Sequence, residues 1–189
     1  MIQRSMTAED FSLHRWELPD AGQWAELIRG VPVSLQPPDP EHGTIVLNLS
    51  KAFSAYVHSE MIGYPCFDLG LHVESAPDTV LHPAVSYFTS GERFSESDKD
   101  YTDSVPTLVV ELATSNDRRS NINERITLYH RCGVSTVWVI DPDNKTVHIL
   151  RRAGLGATRL TEFETLHGAP DLKNFKVNVG ELFREPDWV

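Results

Sequence analysis

Two apolar runs bracket a helix-length polar stretch between residues 105 and 141, and this pattern constrains the fold more than any other feature. VPTLVVELATS and STVWVID are rich in β-branched and apolar residues and read as strands. The segment between them, from about Asp117 to Cys132, reads as a helix ended by Gly133 at the left-handed capping position. A strand, a helix and a strand in that order imply a right-handed parallel crossover. Asp141-Pro142-Asp143-Asn144 then turns the chain into KTVHILRR, an antiparallel return strand. Parallel and antiparallel neighbours together predict a central mixed β-sheet flanked by helices, in the α/β or α+β class.

The flanking segments fit that frame. Thr7 followed by Ala-Glu-Asp is a helix N-cap with acid in the first turn, and Pro19 closes the helix. WAELIRGVPVSLQ is two short apolar segments broken by Gly30, which reads as a hairpin after which Pro37, Pro38 and Pro40 stiffen the chain. Ile45, Leu49, Phe53 and Val57 recur at i, i+4 and predict an amphipathic helix from Glu41 to about Glu60, with Gly63 just beyond it. PCFDLGLHVES and TVLHPAVSYF read as strands separated by the turn Ala76-Pro77-Asp78, and SGERFSESDKDYTDS as a solvated loop. Short late strands and an ELF segment near Leu182 finish the chain, with no internal repeat.

Composition narrows the class without giving chemistry. At 189 residues, 40% hydrophobic and 23% charged, residues 1–189 suit one compact domain with a packed core. No apolar run approaches the ~20 residues that cross a bilayer, and MIQRSMTAEDF holds no apolar core for a secretory signal. Two cysteines, Cys66 and Cys132, make no disulfide scaffold and fit a reducing, cytoplasmic setting. A formal charge of −10 argues against coating nucleic acid by bulk attraction, although local contact through metal ions stays open.

Glu111 is the residue that calls for an explanation. It sits inside LVVEL, among neighbours that would normally be buried, where an unpaired carboxylate costs several kcal/mol. One reading is a structural ion pair. The other is a metal-ligating carboxylate towards the C-terminal end of a central strand, where α/β sheets place their sites. Ile122, Ile126 and Tyr129 form the inward stripe of the following helix, and Arg125 flanks it, placed to reach back towards Glu111. Arg118, Arg119 and Arg131 make the same segment locally basic, either as a solvated face or as a phosphate contact. His72 and Glu74 share one strand face, a weak two-ligand pattern. No G-x-S-x-G, H-E-x-x-H or phosphate-binding glycine loop occurs.

The run VPTLVVELATSNDRRSNINERITLYHRCGVSTVWVIDPDNKTVHILRR resembles the Uma-type endonucleases of the PD-(D/E)XK nuclease superfamily. AELIRG is similar to that family's N-terminal Glu-Leu-hydrophobic-x-Gly segment, PEHG to its His-Gly signature, TVLHPAVSYF to its Pro-Asp strand, and NFKVNVGELF to its closing segment. The resemblance implies a restriction-endonuclease-like core and metal-dependent hydrolysis of DNA. In such sites carboxylates on neighbouring strands hold Mg²⁺ or Mn²⁺, which activates water and neutralises charge on the scissile phosphate. It also implies DNA as partner, and dimers.

Carried over residue by residue, the resemblance makes Glu111 the metal-binding glutamate, with Glu26 and His42 as the N-terminal glutamate and histidine beside it. Arg118, Arg119 and Arg125 become candidate substrate contacts. Two positions depart from the pattern. The aspartate expected after Pro83 is Ala84, and the helix lysine four residues before Tyr129 is Arg125, which keeps the charge but cannot become a neutral base near pH 7. Asp78, beside Pro77, is a candidate substitute for the missing acid. With one principal carboxylate gone, Mg²⁺ or Mn²⁺ is expected to bind weakly. The rival reading is a family member without catalysis that binds nucleic acid or a protein; a small-molecule enzyme on a similar sheet has no motif behind it.

Overall fold

The computed structural model describes residues 5–154 and 156–186; residues 1–4, 155 and 187–189 of the expected single domain lie outside the described residues. Among the described residues four α-helices, α1 (Ala8–His14), α2 (Glu41–Glu60), α3 (Asn116–Cys132) and α4 (Val179–Leu182), and two short 3-10 helices accompany thirteen strands. The first five are β1 (Ala25–Ile28), β2 (Val31–Ser34), β3 (Tyr64–Phe67), β4 (Gly70–Glu74) and β5 (Thr79–Leu81). Next come β6 (Val85–Phe88), β7 (Tyr101–Thr102), β8 (Leu108–Leu112), β9 (Thr136–Asp141) and β10 (Thr146–Arg151). The last three are β11 (Ala157–Thr161), β12 (Thr165–His167) and β13 (Lys176–Asn178). The fold is α+β, with mixed sheets flanked by helices.

The crossover β8–α3–β9 is present, with Glu111 paired to Val139 in the parallel ladder and β10 returning antiparallel to β9. Local chemistry sets its helix. The Ser115 hydroxyl accepts the Arg118 backbone N–H at the N-terminus, and Gly133 at φ 117° ends it. Thr7 and Asp10 form a reciprocal capping box on α1.

One sheet was expected, and the chain builds two and a ribbon. A six-stranded sheet runs β11-β10-β9-β8-β6-β3, a five-stranded one β2-β1-β5-β4-β7, and β12 pairs with β13. The difference arises in the two middle segments, each of which breaks in half. PCFDLGLHVES leaves the six-stranded sheet after Phe67, turns through Asp68 at φ 52°, and joins the five-stranded sheet as β4. TVLHPAVSYF makes the opposite passage at His82-Pro83, where proline offers no N–H to a ladder. The two crossing points lie side by side: Phe67 pairs with Val85, and the Asp68 N–H donates to the Ala84 carbonyl at 3.4 Å.

The six-stranded sheet buries a core on each face, and the five-stranded sheet shares the second of them. Ile45, Leu49, Phe53 and Tyr56 of α2 cover one face of the six-stranded sheet with Trp138 and Phe175. The opposite face packs Val109, Val137 and Tyr129 against Leu71 and Val73 of β4. The segment read as a solvated loop carries the two-residue strand β7 and a buried carboxylate, Glu96, bonded to Ser95, Lys99 and Ser104. Among the described residues no helix is long and apolar enough to cross a membrane.

Candidate active site

Strand alternation sends Glu111 to the α3 face of β8 together with Val109 and Ala113, where it is 1% exposed. Arg125, two turns into α3, meets it there. Its Nε donates to Glu111 Oε1 at 2.9 Å, and its two terminal nitrogens donate to the two oxygens of Glu26 at 2.5 and 3.0 Å. The Tyr129 hydroxyl, one turn further on, donates to the same Glu111 Oε1 at 2.5 Å. One planar guanidinium thus ties a hairpin strand of one sheet to the central strand of the other, a fork geometry that an ammonium does not reproduce.

Charge in this network follows from burial and pairing. Burial would raise the Glu26 carboxyl, but Arg125 and the His82 backbone N–H at 2.7 Å outweigh it and hold Glu26 below its ordinary value. Burial would lower Arg125, and Glu111 and Glu26 overcome it to keep the guanidinium protonated. Burial pushes the Tyr129 phenol far up, so it donates and does not ionise. Replacing such a network by apolar groups costs little, whereas removing one partner costs ~3–5 kcal/mol.

The network divides two cavities. The larger, about 280 Å³, lies between β1, β2 and α3 and is walled by Glu26, Ile28, Leu81, Arg125 and Leu128. The smaller, about 170 Å³, is walled by His42, Asp68, His82, Ala84, Glu111 and Arg118. Arg118, seven residues before Arg125 and so on the same helix face, lines both. It is 6% exposed, its side-chain bond runs 3.5 Å to the Gln36 carbonyl, and among the described residues no carboxylate lies within ion-pair distance of it. A buried guanidinium with no anion in direct contact is costly, and an anion entering this cavity would offset the cost.

Two histidines face the smaller cavity in neutral form. Burial, reinforced by Arg118, lowers His42 to about 4, and its Nδ1 lies 2.9 Å from Thr114 Oγ1. Burial and Arg15 lower His82 to about 4; its Nδ1 lies 3.1 Å from the Asp68 carbonyl. Asp68 stands at the mouth. The enclosing walls raise its carboxyl and Arg15 and Arg118 pull it down, but its side chain keeps 60% exposure, so solvent screens both effects.

The structure therefore gathers Glu111, Arg125 and Glu26 into one network and places His42 and Arg118 on the cavity that Glu111 also lines. It does not bring Arg119 there. Arg119 reaches Asp143 at 3.0 Å and Asp39 at 3.7 Å and lines a separate cavity beside Val139. Asp78 is also remote, with its carboxylate on the backbone N–H groups of Ala8 and Ala76. His72 contacts Asp103 at 2.6 Å and Glu74 faces Arg131, both away from Glu111. Among the described residues no group of three His, Cys, Asp or Glu side chains is placed to hold a metal ion. Sequence reasoning missed His82, whose spacing carries no signal, and Asp68, whose position opposite Ala84 emerges only from strand register.

Comparison with known proteins agrees with this architecture. The crystal structure of a protein described as a "putative nuclease belonging to DUF820" from Anabaena variabilis superposes with a TM-score of 0.75 at 17% identity, covering 94% of this chain and 97% of that one. No curated protein matches the chain. The model of the Uma2 family, described as "Putative restriction endonuclease", matches residues 8–180, and the chain belongs to that family.

Proposed function

We propose that this chain is a divalent-metal-dependent DNA endonuclease whose scissile phosphate enters the cavity between Glu111 and Arg118. One observation carries the reading: a buried glutamate on the central strand and a buried guanidinium without a carboxylate partner line the same 170 Å³ space. The donor set fits a weakly held hard cation. Arg125 and Tyr129 both engage Glu111 at Oε1, which leaves Oε2 for an ion, and Ala84 contributes only a methyl to the wall. Mg²⁺ or Mn²⁺ bound there would supply charge neutralisation and an acidified water.

The chain's own groups take distinct parts in this reading. Arg118 receives the phosphate. Arg125 is a positioning residue: with its nitrogens committed to Glu111 and Glu26, it fixes the metal-binding carboxylate and does not meet DNA. Glu26 holds Arg125 and the His82 backbone. His42, neutral at pH 7 and braced by Thr114, orients water through Nε2. The test is nicking of supercoiled plasmid with Mn²⁺ or Mg²⁺. Glu111→Gln is expected to lower the rate by at least ~10²-fold, with the fold verified by circular dichroism. Wild-type protein that leaves plasmid intact with both metals would remove the catalytic reading.

A second reading is favoured by Ala84 and by the closure of Arg125 onto two glutamates: a member that keeps the fold and binds nucleic acid without cleaving it. Retarded DNA migration that depends on Arg118, without metal-dependent nicking, would establish it.

A further inference from the structure

We infer that Asp68 supplies the carboxylate that Ala84 lacks, so that Asp68 and Glu111 together form the divalent-cation site of the smaller cavity. The inference rests on the nuclease reading above and deepens it by naming the second ligand. Phe67 and Val85 are register partners in the antiparallel pair β3–β6, so the next residues across the pair are Asp68 and Ala84. Their backbones meet directly through the 3.4 Å bond between them. An acid lost from one strand is therefore matched by an acid on its neighbour, at the same level of the sheet and on the wall of the same cavity as Glu111.

The Asp68 carboxylate is also available. Its nearest ion-pair contact is the His82 ring, 3.9 Å away. Among the described residues no lysine or arginine lies within ion-pair distance of it, in contrast to Glu26 and Glu111. A second, independent feature points to the ligand that accompanies such an ion. Arg118, buried and with no carboxylate within ion-pair distance, faces the same space and is suited to a phosphate oxygen. Two carboxylates, waters and a phosphate oxygen form the oxygen set that Mg²⁺ and Mn²⁺ accept, and the cavity far exceeds the ~10–15 Å³ that one water needs.

The experiment is titration of purified protein with Mn²⁺, followed by electron paramagnetic resonance of the free ion, alongside plasmid nicking. Asp68→Asn is the informative variant because asparagine tolerates the φ of 52° at that position and keeps the shape. It is expected to weaken Mn²⁺ binding by at least the ~10–100-fold that loss of an outer-shell partner costs. The double variant Asp68→Asn with Ala84→Asp, which moves the acid back across the strand pair, is expected to restore binding. If Asp68→Asn binds Mn²⁺ as the wild type does while Glu111→Gln does not, Asp68 is no ligand and the metal site at Glu111 survives without it. If Mn²⁺ binding requires both acids but no DNA is nicked, the cation site stands and the endonuclease reading falls. Wild-type protein without saturable Mn²⁺ binding overturns both.

Discussion

Arg125→Met tests the network most directly. Arg125 makes three N–H···O bonds to Glu26 and Glu111. At ~1.5–3 kcal/mol for each bond to a charged group, they contribute roughly 4.5–9 kcal/mol gross. Removing the guanidinium returns several kcal/mol of its own desolvation but strands two carboxylates that are 1–2% exposed. The net loss is expected at about 3–5 kcal/mol at pH 7, a large share of a typical domain's stability. Urea denaturation followed by tryptophan fluorescence measures it. The deficit should also depend on pH. In the wild type Glu26 is held below its ordinary 4.5, so its stabilisation is complete above 4.5 and lost as pH falls through the lowered native value. In the variant an unpaired, buried Glu26 moves above 4.5, so the native state takes up a proton first and the deficit narrows as pH drops from 7 towards 4.5. Adding Glu26→Gln and Glu111→Leu removes the stranded charge while keeping an acceptor for the His82 N–H, and should recover most of the loss. A deficit below about 1 kcal/mol, or one that does not change with pH, would refute the buried-charge account.

Other consequences concern the histidine and two glycines. His82 is lowered from 6.5 to about 4, so the unfolded chain binds its proton first and stability falls as pH drops from 6.5 to 4. Over that window the wild type should lose up to about 3 kcal/mol more than His82→Gln, as read from urea midpoints. Gly63 at φ 67° would place a Cβ against the Phe88 carbonyl, so Gly63→Ala should cost about 2–4 kcal/mol in the same assay. Gly43 lies in α2 with open space where a Cβ would sit, so Gly43→Ala should gain about 0.5–1 kcal/mol.

What the sequence disclosed follows from how local each signal is. The helix Glu41–Glu60 and the crossover around α3 rest on periodicity and caps within a few residues, and both lie where those signals put them. Glu111 drew attention because a charged residue among valines contradicts its surroundings, and Arg125 because its helical spacing aims it backwards. The split of two strand segments into four was hidden. Asp68 and Pro83 interrupt the apolar runs at single positions, which reads equally well as a bulge or an edge; the passage between sheets is decided by which partner each half meets. The commitment of Arg125 to Glu26 was equally hidden, since 99 residues separate them and only the pairing of β1 with β5 brings the hairpin over α3.

Charge balance explains why both departures from the family pattern are tolerated together. Around the smaller cavity and the Arg125 network beside it, the guanidiniums of Arg15, Arg118 and Arg125 stand against the carboxylates of Glu26, Glu111 and Asp68, while His42 and His82 are neutral. The cluster is neutral before any ligand arrives, so it folds without an ion, unlike a structural metal site. An aspartate at position 84 would add an uncompensated charge in the absence of metal, and a lysine at 125 would hold Glu26 and Glu111 less well than the forked guanidinium. On the proposed reading, a divalent ion would bring two positive charges into a balanced site and be held weakly there. A phosphodiester carries one negative charge, so its arrival at Arg118 would offset part of the ion's charge and strengthen ion binding. The coupling would be reciprocal: the bound ion would favour DNA to the same degree, and the proposed metal site would be completed by the proposed substrate.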